Sequence, residues 1–289
     1  MNAAQLERSP DLDVIEAQFF SSIRMPNGTY KSTHAHRLDD LNARTLAAFL
    51  EAKTSLSEIL DVAASSGVSS VEWADSLAAG GFKPRASLSD LSVTAYLITY
   101  NPSFRVLVDR HGWPLQFEIF GVPVAARPTK FDVATGRAVL TAVSQVLHRT
   151  WSRKLDLANL DKEVPSEAKA EVQRVTMLSR RALARPDIRY FDDDICGPNA
   201  AELKGRFDAI RAANILQYGY FDESTLRTIV ANLKDRLRGP GSWLIICRTH
   251  PDGTNNGTIF RLEQDGRFAV KARVGQGSEI EQIVTALGD

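Results

Sequence analysis

Apolar and polar positions alternate with different periods in different parts of the chain, and those changes of period divide it. Leu12 to Ile23 (Val14, Ile15, Phe19, Phe20) and Leu38 to Lys53 (Leu41, Leu46, Ala47, Leu50) carry apolar residues at the three-to-four-residue spacing of a helical face. Between them Met25 to His36 is polar and contains Pro26-Asn27-Gly28, a turn signal, so residues 1–50 read as a helical cap with a lid. From Ser57 the pattern becomes a short apolar run, Glu58-Ile59-Leu60-Asp61-Val62-Ala63, followed at once by a helical spacing over Ser69 to Ala79 that Gly80-Gly81 stops. A second strand is expected at Arg85 to Asp90.

After Asp90 the next such strand is delayed by nearly a hundred residues, which predicts an α+β insertion at about residues 100–184. Within it, Phe104 to Val108 and Leu115 to Phe120 read as a hairpin, and Val133 to Trp151 and Ser166 to Leu183 as helices. Strand and helix then alternate again: Ile188 to Phe191, Phe207 to Asn214, a helix from Asp222 to Leu237, and the buried strand Trp243 to Cys247. Thr258 to Leu262 and Arg267 to Ala272 read as a closing antiparallel hairpin. Alternation of this kind predicts a doubly wound α/β sheet, mostly parallel, within a domain spanning residues 51–289.

Composition narrows the partners. Thirty-five Lys plus Arg against thirty-five Asp plus Glu leave no net charge, which argues against nucleic acid and for a small-molecule ligand. No run approaches the roughly 18 apolar residues of a membrane span, and residues 1–10 lack the apolar core of a secretory signal. The expectation is a cytoplasmic protein without a membrane partner, with a homodimer left open. Cys196 and Cys247 form no C-x-x-C pair and read as structural, buried thiols. His111 and His148 have no metal-ligand company at useful spacing, so no metal is expected.

The candidate chemistry lies at the first strand-to-helix turn, Asp61-Val62-Ala63-Ala64-Ser65-Ser66-Gly67-Val68. Small residues there let the backbone approach a ligand at the carboxyl ends of the strands, and Ala63, Ser65 and Gly67 stand at alternate positions. Twenty-three residues past Gly67, Asp90 closes the second strand, where such folds place a carboxylate that binds ribose hydroxyls.

These residues resemble the class I S-adenosylmethionine-dependent methyltransferases, over roughly Glu58 to Asp90 and Ile188 to Ala272. The family's first motif, an acid followed by small residues at every second position, aligns with Asp61, Ala63, Ser65 and Gly67; Ala63 and Ser65 stand where glycine is usual, and alanine adopts positive φ at greater cost. The resemblance implies a Rossmann-like methyltransferase sheet with S-adenosyl-L-methionine as cofactor. It implies that Asp90 binds the ribose, that Asp194 followed by Ile195, or the competing Asp193, binds the adenine amino group, and that Asn214 to Leu216 lie near the methionine end.

A sulfonium is already an activated leaving group, so methyl transfer to a small-molecule O- or N-nucleophile needs chiefly proximity and orientation. If the acceptor loses a proton, Tyr30, His34, His36, Tyr218 and Tyr220 are the weak candidates for a base. The cap and insertion are expected to shape the acceptor pocket. Two other readings stay open: an NAD-dependent oxidoreductase, although the turn lacks G-x-G-x-x-G, and a catalytically silent module that binds S-adenosylmethionine. Arg180, Arg181, Arg185 and Arg189 form a basic cluster that reads as a solvated helix face rather than an anion site.

Overall fold

The structure is a computed structural model that describes residues 16, 19–21, 23, 31, 35–128, 130–160 and 170–287. The helix expected at Leu12 to Ile23 lies largely outside the described residues. The chain divides into two units, one of Met1–Thr33 with Ser92–Leu178 and one of His34–Leu91 with Ser179–Asp289. Among the described residues no helix is long and apolar enough to cross a membrane.

The second unit is built on a seven-stranded sheet. Its described elements are α1 (Asp39–Glu51), β1 (Glu58–Val62), α2 (Val68–Ala79), β2 (Arg85–Asp90), α5 (Arg180–Leu183), β8 (Ile188–Asp192), β9 (Ala209–Ala213), α6 (Glu223–Arg236), β10 (Trp243–Thr249), β11 (Asn255–Leu262), β12 (Phe268–Val274) and α7 (Glu281–Thr285); β3 to β7, α3 and α4 belong to the first unit. The strand order is β12-β11-β10-β9-β1-β2-β8. The five strands β8, β2, β1, β9 and β10 run parallel, and β10-β11-β12 closes the sheet as an antiparallel meander. This is the doubly wound, mostly parallel Rossmann-like arrangement with its antiparallel closing hairpin. The chain steps outward from β1 to β2 to β8 and then returns to the other side of β1 with β9, so the switch point lies between β1 and β9.

Side chains alternate between the faces of a strand. On one face Leu60, Val62, Ile210, Ala212, Leu244 and Ile246 pack with Leu226, Ile229, Val230 and Leu233 of α6 and with Ile283 and Val284 of α7. Each such side chain contributes about 1.5–3 kcal/mol when fully buried. On the other face lie the odd-numbered residues, including Asp61, Arg211 and Trp243, whose indole packs 5.1 Å from the Phe49 ring of α1. The helix α6 begins where Asp222 Oδ1 accepts the Thr225 N–H at 2.8 Å, a cap of about 1 kcal/mol, and stops before Gly239-Pro240-Gly241.

The first unit holds a five-stranded antiparallel sheet, ordered β6-β5-β4-β3-β7, from β3 (Thr94–Asn101), β4 (Phe104–Asp109), β5 (Pro114–Ile119), β6 (Val122–Ala125) and β7 (Glu171–Thr176), with α3 (Lys130–Ala134) and α4 (Ala138–Trp151). The expected hairpin is present as β4-β5. The helix expected over Ser166 to Leu183 is not: its described part is strand β7, paired antiparallel with β3, followed by the single turn α5, which belongs to the second unit. The spacing of Val172, Val175 and Thr176 suits either form locally, but these residues are β-branched and β3 offers a hydrogen-bonding edge, which a helix would leave unmatched.

In this unit Tyr100 Oη and His148 Nδ1 share a hydrogen bond of 3.0 Å inside an aromatic cluster with Phe104, Phe117 and Trp151. Burial, with a smaller contribution from Arg149, pushes the imidazole pKa down to about 4. Between pH 6.5 and 4 the unfolded chain therefore takes up a proton that the folded chain refuses, so the stabilisation is complete above pH 6.5 and is lost as pH falls toward 4. Thermal melts at pH 7 and pH 4.5 are expected to show a smaller acid-side loss for His148→Gln than for the unsubstituted protein.

Candidate functional site

Four neighbouring strand tips form one rim at the carboxyl edge of the sheet, in the order β9, β1, β2, β8. Residues 63–67 lie between β1 and α2, and their backbone alternates: Ala63 has φ 52°, Ser65 φ 58° and Gly67 φ 78°. Every second residue is left-handed, a conformation that costs a non-glycine roughly 1–2 kcal/mol per residue. Strain of this kind persists only where the surroundings over-determine it.

The surroundings here do so. Ala64 N–H donates to Ser89 O at 2.9 Å, Gly67 N–H to Ala64 O at 2.9 Å, and Ser179 N–H to Ser66 O at 2.8 Å. Asp90, nearly buried at the end of β2, accepts the Ser65 N–H on Oδ2 at 2.8 Å. Asp90 O in turn accepts the Asp193 N–H at 2.9 Å, and Ser89 Oγ donates to Asp193 Oδ2 at 2.9 Å. One hydrogen-bonded chain thus joins the turn, the tip of β2 and the segment after β8. Asp90 and Gly67, separate in sequence, share this rim.

The acids of the site divide into two kinds. Asp61 is directly opposite Arg211 in the register of β1 and β9, and its carboxylate accepts from Arg211 Nε at 3.0 Å, Arg211 Nη2 at 2.5 Å and Ser70 Oγ at 2.6 Å. The guanidinium also donates to Asn42 Oδ1 of α1 at 2.9 Å and Ser69 O of α2 at 2.8 Å, and lies 4.7 Å over the Trp73 ring. Asp61 is therefore the internal clamp beneath the turn and presents no carboxylate oxygen to a ligand. Asp193 is used the same way: it accepts from Arg236 Nη1 at 2.6 Å and Nη2 at 3.0 Å, while Arg236 Nε donates to Asn199 Oδ1. Asp194 is exposed, with Oδ1 accepting the Cys196 N–H at 3.0 Å. Of the two competing acids, Asp194 is the one turned to the surface.

At the tip of β9, Asn214 is also left-handed, with φ 63°. Its side chain spans to β10, accepting Thr249 N–H at 2.6 Å and donating to Thr249 Oγ1 at 3.3 Å. Thr249 Oγ1 donates to Asn255 Oδ1, and Asn255 Nδ2 donates to Arg37 O at 2.7 Å and Asp40 Oδ1 at 2.6 Å. The side chains of Ile195 and Leu216 are in the core cluster under α6. Only their backbone can face a ligand.

The candidate bases scatter. Tyr30 and His34 lie outside the described residues. His36 is exposed and its Nδ1 lies 3.1 Å from Asp39 Oδ2. Tyr218 and Tyr220 are exposed on the loop after β9. Cys196 is exposed, contrary to the expectation of a buried thiol, because Ile195 takes the inward position beside it; burial, then Asp194, still pushes its pKa up to about 11. Cys247 is buried, with its pKa pushed up to about 12. Arg181 and Arg185 pair with Glu72, Asp75 and Asp187, as a solvated face does. Asp208 lies at the opposite edge of the sheet, where it accepts the Ser57 and Glu58 N–H groups.

Arg211 and Arg236 were not singled out in the sequence. The available signal was an arginine inside a run otherwise small and apolar, Ala209-Ile210-Arg211-Ala212-Ala213, facing another such run that holds Asp61. Breaking a buried pair by removing one partner costs about 3–5 kcal/mol, and chemical denaturation of Asp61→Asn and Arg211→Met is expected to show a loss of that order. Ala63→Gly and Ser65→Gly are expected to leave stability unchanged or raise it by up to about 1 kcal/mol, because relief of the left-handed strain offsets the added chain entropy. The same denaturation curves read this.

No protein-family model matches the chain, and no curated protein sequence matches it. Solved structures do. An amino pentose methyltransferase of Micromonospora echinaspora with S-adenosylmethionine bound is 12% identical over 97% of this chain and 90% of its own, with a TM-score of 0.38. The N-methyltransferase NodS of Bradyrhizobium japonicum, in complex with S-adenosyl-L-homocysteine, is 13% identical over 80% of this chain and 72% of its own, with a TM-score of 0.33. The citrinin polyketide synthase CMeT domain is 14% identical with a TM-score of 0.35; the match covers 83% of this chain but spans only 39% of that one. The chain is similar to these proteins, and its own sheet is of the doubly wound Rossmann-like type.

Proposed function

We propose that the chain is an S-adenosylmethionine-dependent methyltransferase acting on a small molecule. The observation that carries the reading is the turn of residues 63–67, held left-handed at Ala63, Ser65 and Gly67 and tied through Ser65 N–H to Asp90. Such a turn exposes little side chain and brings backbone close to whatever lies across the switch point. A phosphate-bearing cofactor would call for the glycine-rich G-x-G-x-x-G spacing at the start of α2, which is lacking. A nucleoside that carries no phosphate needs no such site.

In this reading the backbone of residues 63–67 lies along the cofactor, Asp90 takes the ribose hydroxyls and Asp194 the adenine amino group. Asn214, fixed by Thr249, borders the methionine end. Asp61 and Asp193 hold these parts in place through Arg211 and Arg236. The cofactor, when bound, supplies a methyl group on a positively charged sulfur. What the chain adds is orientation and exclusion of water. Tyr218 and Tyr220, exposed after β9, are the described groups nearest in sequence to Asn214 that could accept a proton from an acceptor; His36 is a third. The acceptor is taken to be an O- or N-nucleophile in the cytoplasm.

Isothermal titration is expected to show saturable, single-site binding of S-adenosylhomocysteine. Asp90→Ala should weaken it at least about 10-fold, the scale of one or two lost hydrogen bonds to a charged group, while circular dichroism stays unchanged. Absence of binding to the unsubstituted protein overturns the proposal. Binding without methyl consumption across a broad panel of small acceptors would favour the silent cofactor-binding module.

A further inference from the structure

The helix α4 of the first unit is amphipathic with its polarity reversed. A surface helix ordinarily turns its apolar stripe to the core and its charged face to water, as α6 does by burying Leu226, Ile229, Val230 and Leu233 and exposing Glu223 and Arg227. In α4 the buried positions Thr141, Ser144 and His148, three or four residues apart, are all polar. Thr141 Oγ1 donates to Ala125 O at 3.0 Å, Ser144 Oγ donates to Leu140 O at 2.7 Å, and His148 shares its hydrogen bond with Tyr100. Half-buried Leu147 adds an apolar contact to the sheet. The outward face carries Val139, Leu140, Val143 and Val146, which are 65%, 46%, 47% and 62% exposed. Residues three and four apart are neighbours on a helix, so these side chains form one continuous aliphatic stripe.

Cations border the stripe at both ends. Arg137 immediately precedes α4, Arg149 stands in its last turn, and Arg153 and Lys154 follow it; all four are exposed. Residues 133–154 contain these four Arg and Lys and no Asp or Glu, in a chain whose net charge is zero. Aromatic side chains gather at the Arg149 end. Trp151 packs edge-on to Phe104 with ring centroids 5.3 Å apart. Phe120, in the turn between β5 and β6, is 79% exposed, and its N–H donates to Ser103 O, next to Phe104.

We infer that this face of the first unit docks on an anionic lipid bilayer, with α4 lying in the plane of the interface, its aliphatic stripe toward the acyl chains and its flanking cations on the phosphate headgroups. An exposed apolar stripe rimmed by charge marks an interaction surface, and a helix with one aliphatic face and arginine or lysine beside it is the form that binds such a bilayer. Aromatic side chains are favoured at the same depth. A helix in the plane of the interface has no need of the length that crossing requires. A second copy of the chain fits less well: two-fold pairing sets a face against itself, so Arg137 and Arg149 would meet cations with no acid on the stripe to answer them.

The test is sedimentation of the full chain with vesicles of phosphatidylcholine alone and of three parts phosphatidylcholine to one part phosphatidylglycerol. Binding to the mixed vesicles should be at least about 10-fold stronger than to phosphatidylcholine alone and should weaken as salt is added. The double variants V143Q/V146Q and R149Q/R153Q should each bind the mixed vesicles at least about 10-fold more weakly, the first by losing apolar area and the second by losing charge. Both should keep the Tm of the unsubstituted protein, because they change exposed side chains and glutamine is as good a helix former as valine or arginine. No binding to the mixed vesicles, binding that neither variant weakens, or a clear fall in Tm for V143Q/V146Q each overturns the inference. So does a dimer in sedimentation velocity that V143Q/V146Q converts to monomer without vesicle binding, which would give the face to a second copy. No cofactor is present in the assay, so its outcome is separate from that of the methyltransferase reading.

Discussion

The buried pair of Asp61 and Arg211 is the constraint on which the rest of the second unit depends. It joins β1 to β9 at the point where the chain changes direction across the sheet, and its spare hydrogen-bonding capacity is taken by α1 through Asn42 and by α2 through Ser69 and Ser70. Two strands and two helices therefore meet at one guanidinium. Two charges out of water recover their desolvation only when the geometry is good and the remaining donors are satisfied. Here the two-pronged contact, the two further acceptors and the Trp73 ring meet that condition. A hydrophobic pair could fill the same volume, but it would not set the register of β1 against β9 or the angle at which α2 leaves the sheet.

With that angle set, the turn above it has little choice. Residues 63–67 must connect a strand to a helix whose start is fixed by Ser69 and Ser70, and they do so by left-handed steps at Ala63, Ser65 and Gly67. The strain at Ala63 and Ser65 is held by hydrogen bonds from the neighbouring tip, chiefly Ala64 N–H to Ser89 O and Ser65 N–H to Asp90. Alanine and serine can thus occupy positions where glycine is the cheaper residue, provided that the scaffold supplies the difference.

The same logic separates residues that build the site from those that face a ligand. Asp61 and Asp193 look alike in sequence to Asp90 and Asp194, since each is an acid at or near the end of a strand. Asp61 and Asp193 each have a buried arginine on a distant element; Asp90 and Asp194 lie at the rim, where they accept backbone N–H groups of Ser65 and Cys196.

Much of this was legible in the order of residues. The periods of apolar positions located β1, β2, α6 and β10 to within a residue or two, because each element buries one face or both against a large core and the pattern has no other reason to exist. The row Ala63, Ser65, Gly67 and the acid Asp90 were legible for a local reason as well: tight turns select small residues, and a strand tip selects its terminal side chain. Less legible were elements whose form depends on a distant edge, as β7 depends on β3, and side chains such as Arg211 and Arg236 whose meaning lies in a partner 150 or 43 residues away. Local spacing determined that this chain makes a doubly wound sheet with a narrow turn beside an acid. Which acids are spent inside the protein, and which lie at the rim, only the tertiary structure decided, because charge pairing depends on distance in space and carries no period along the chain.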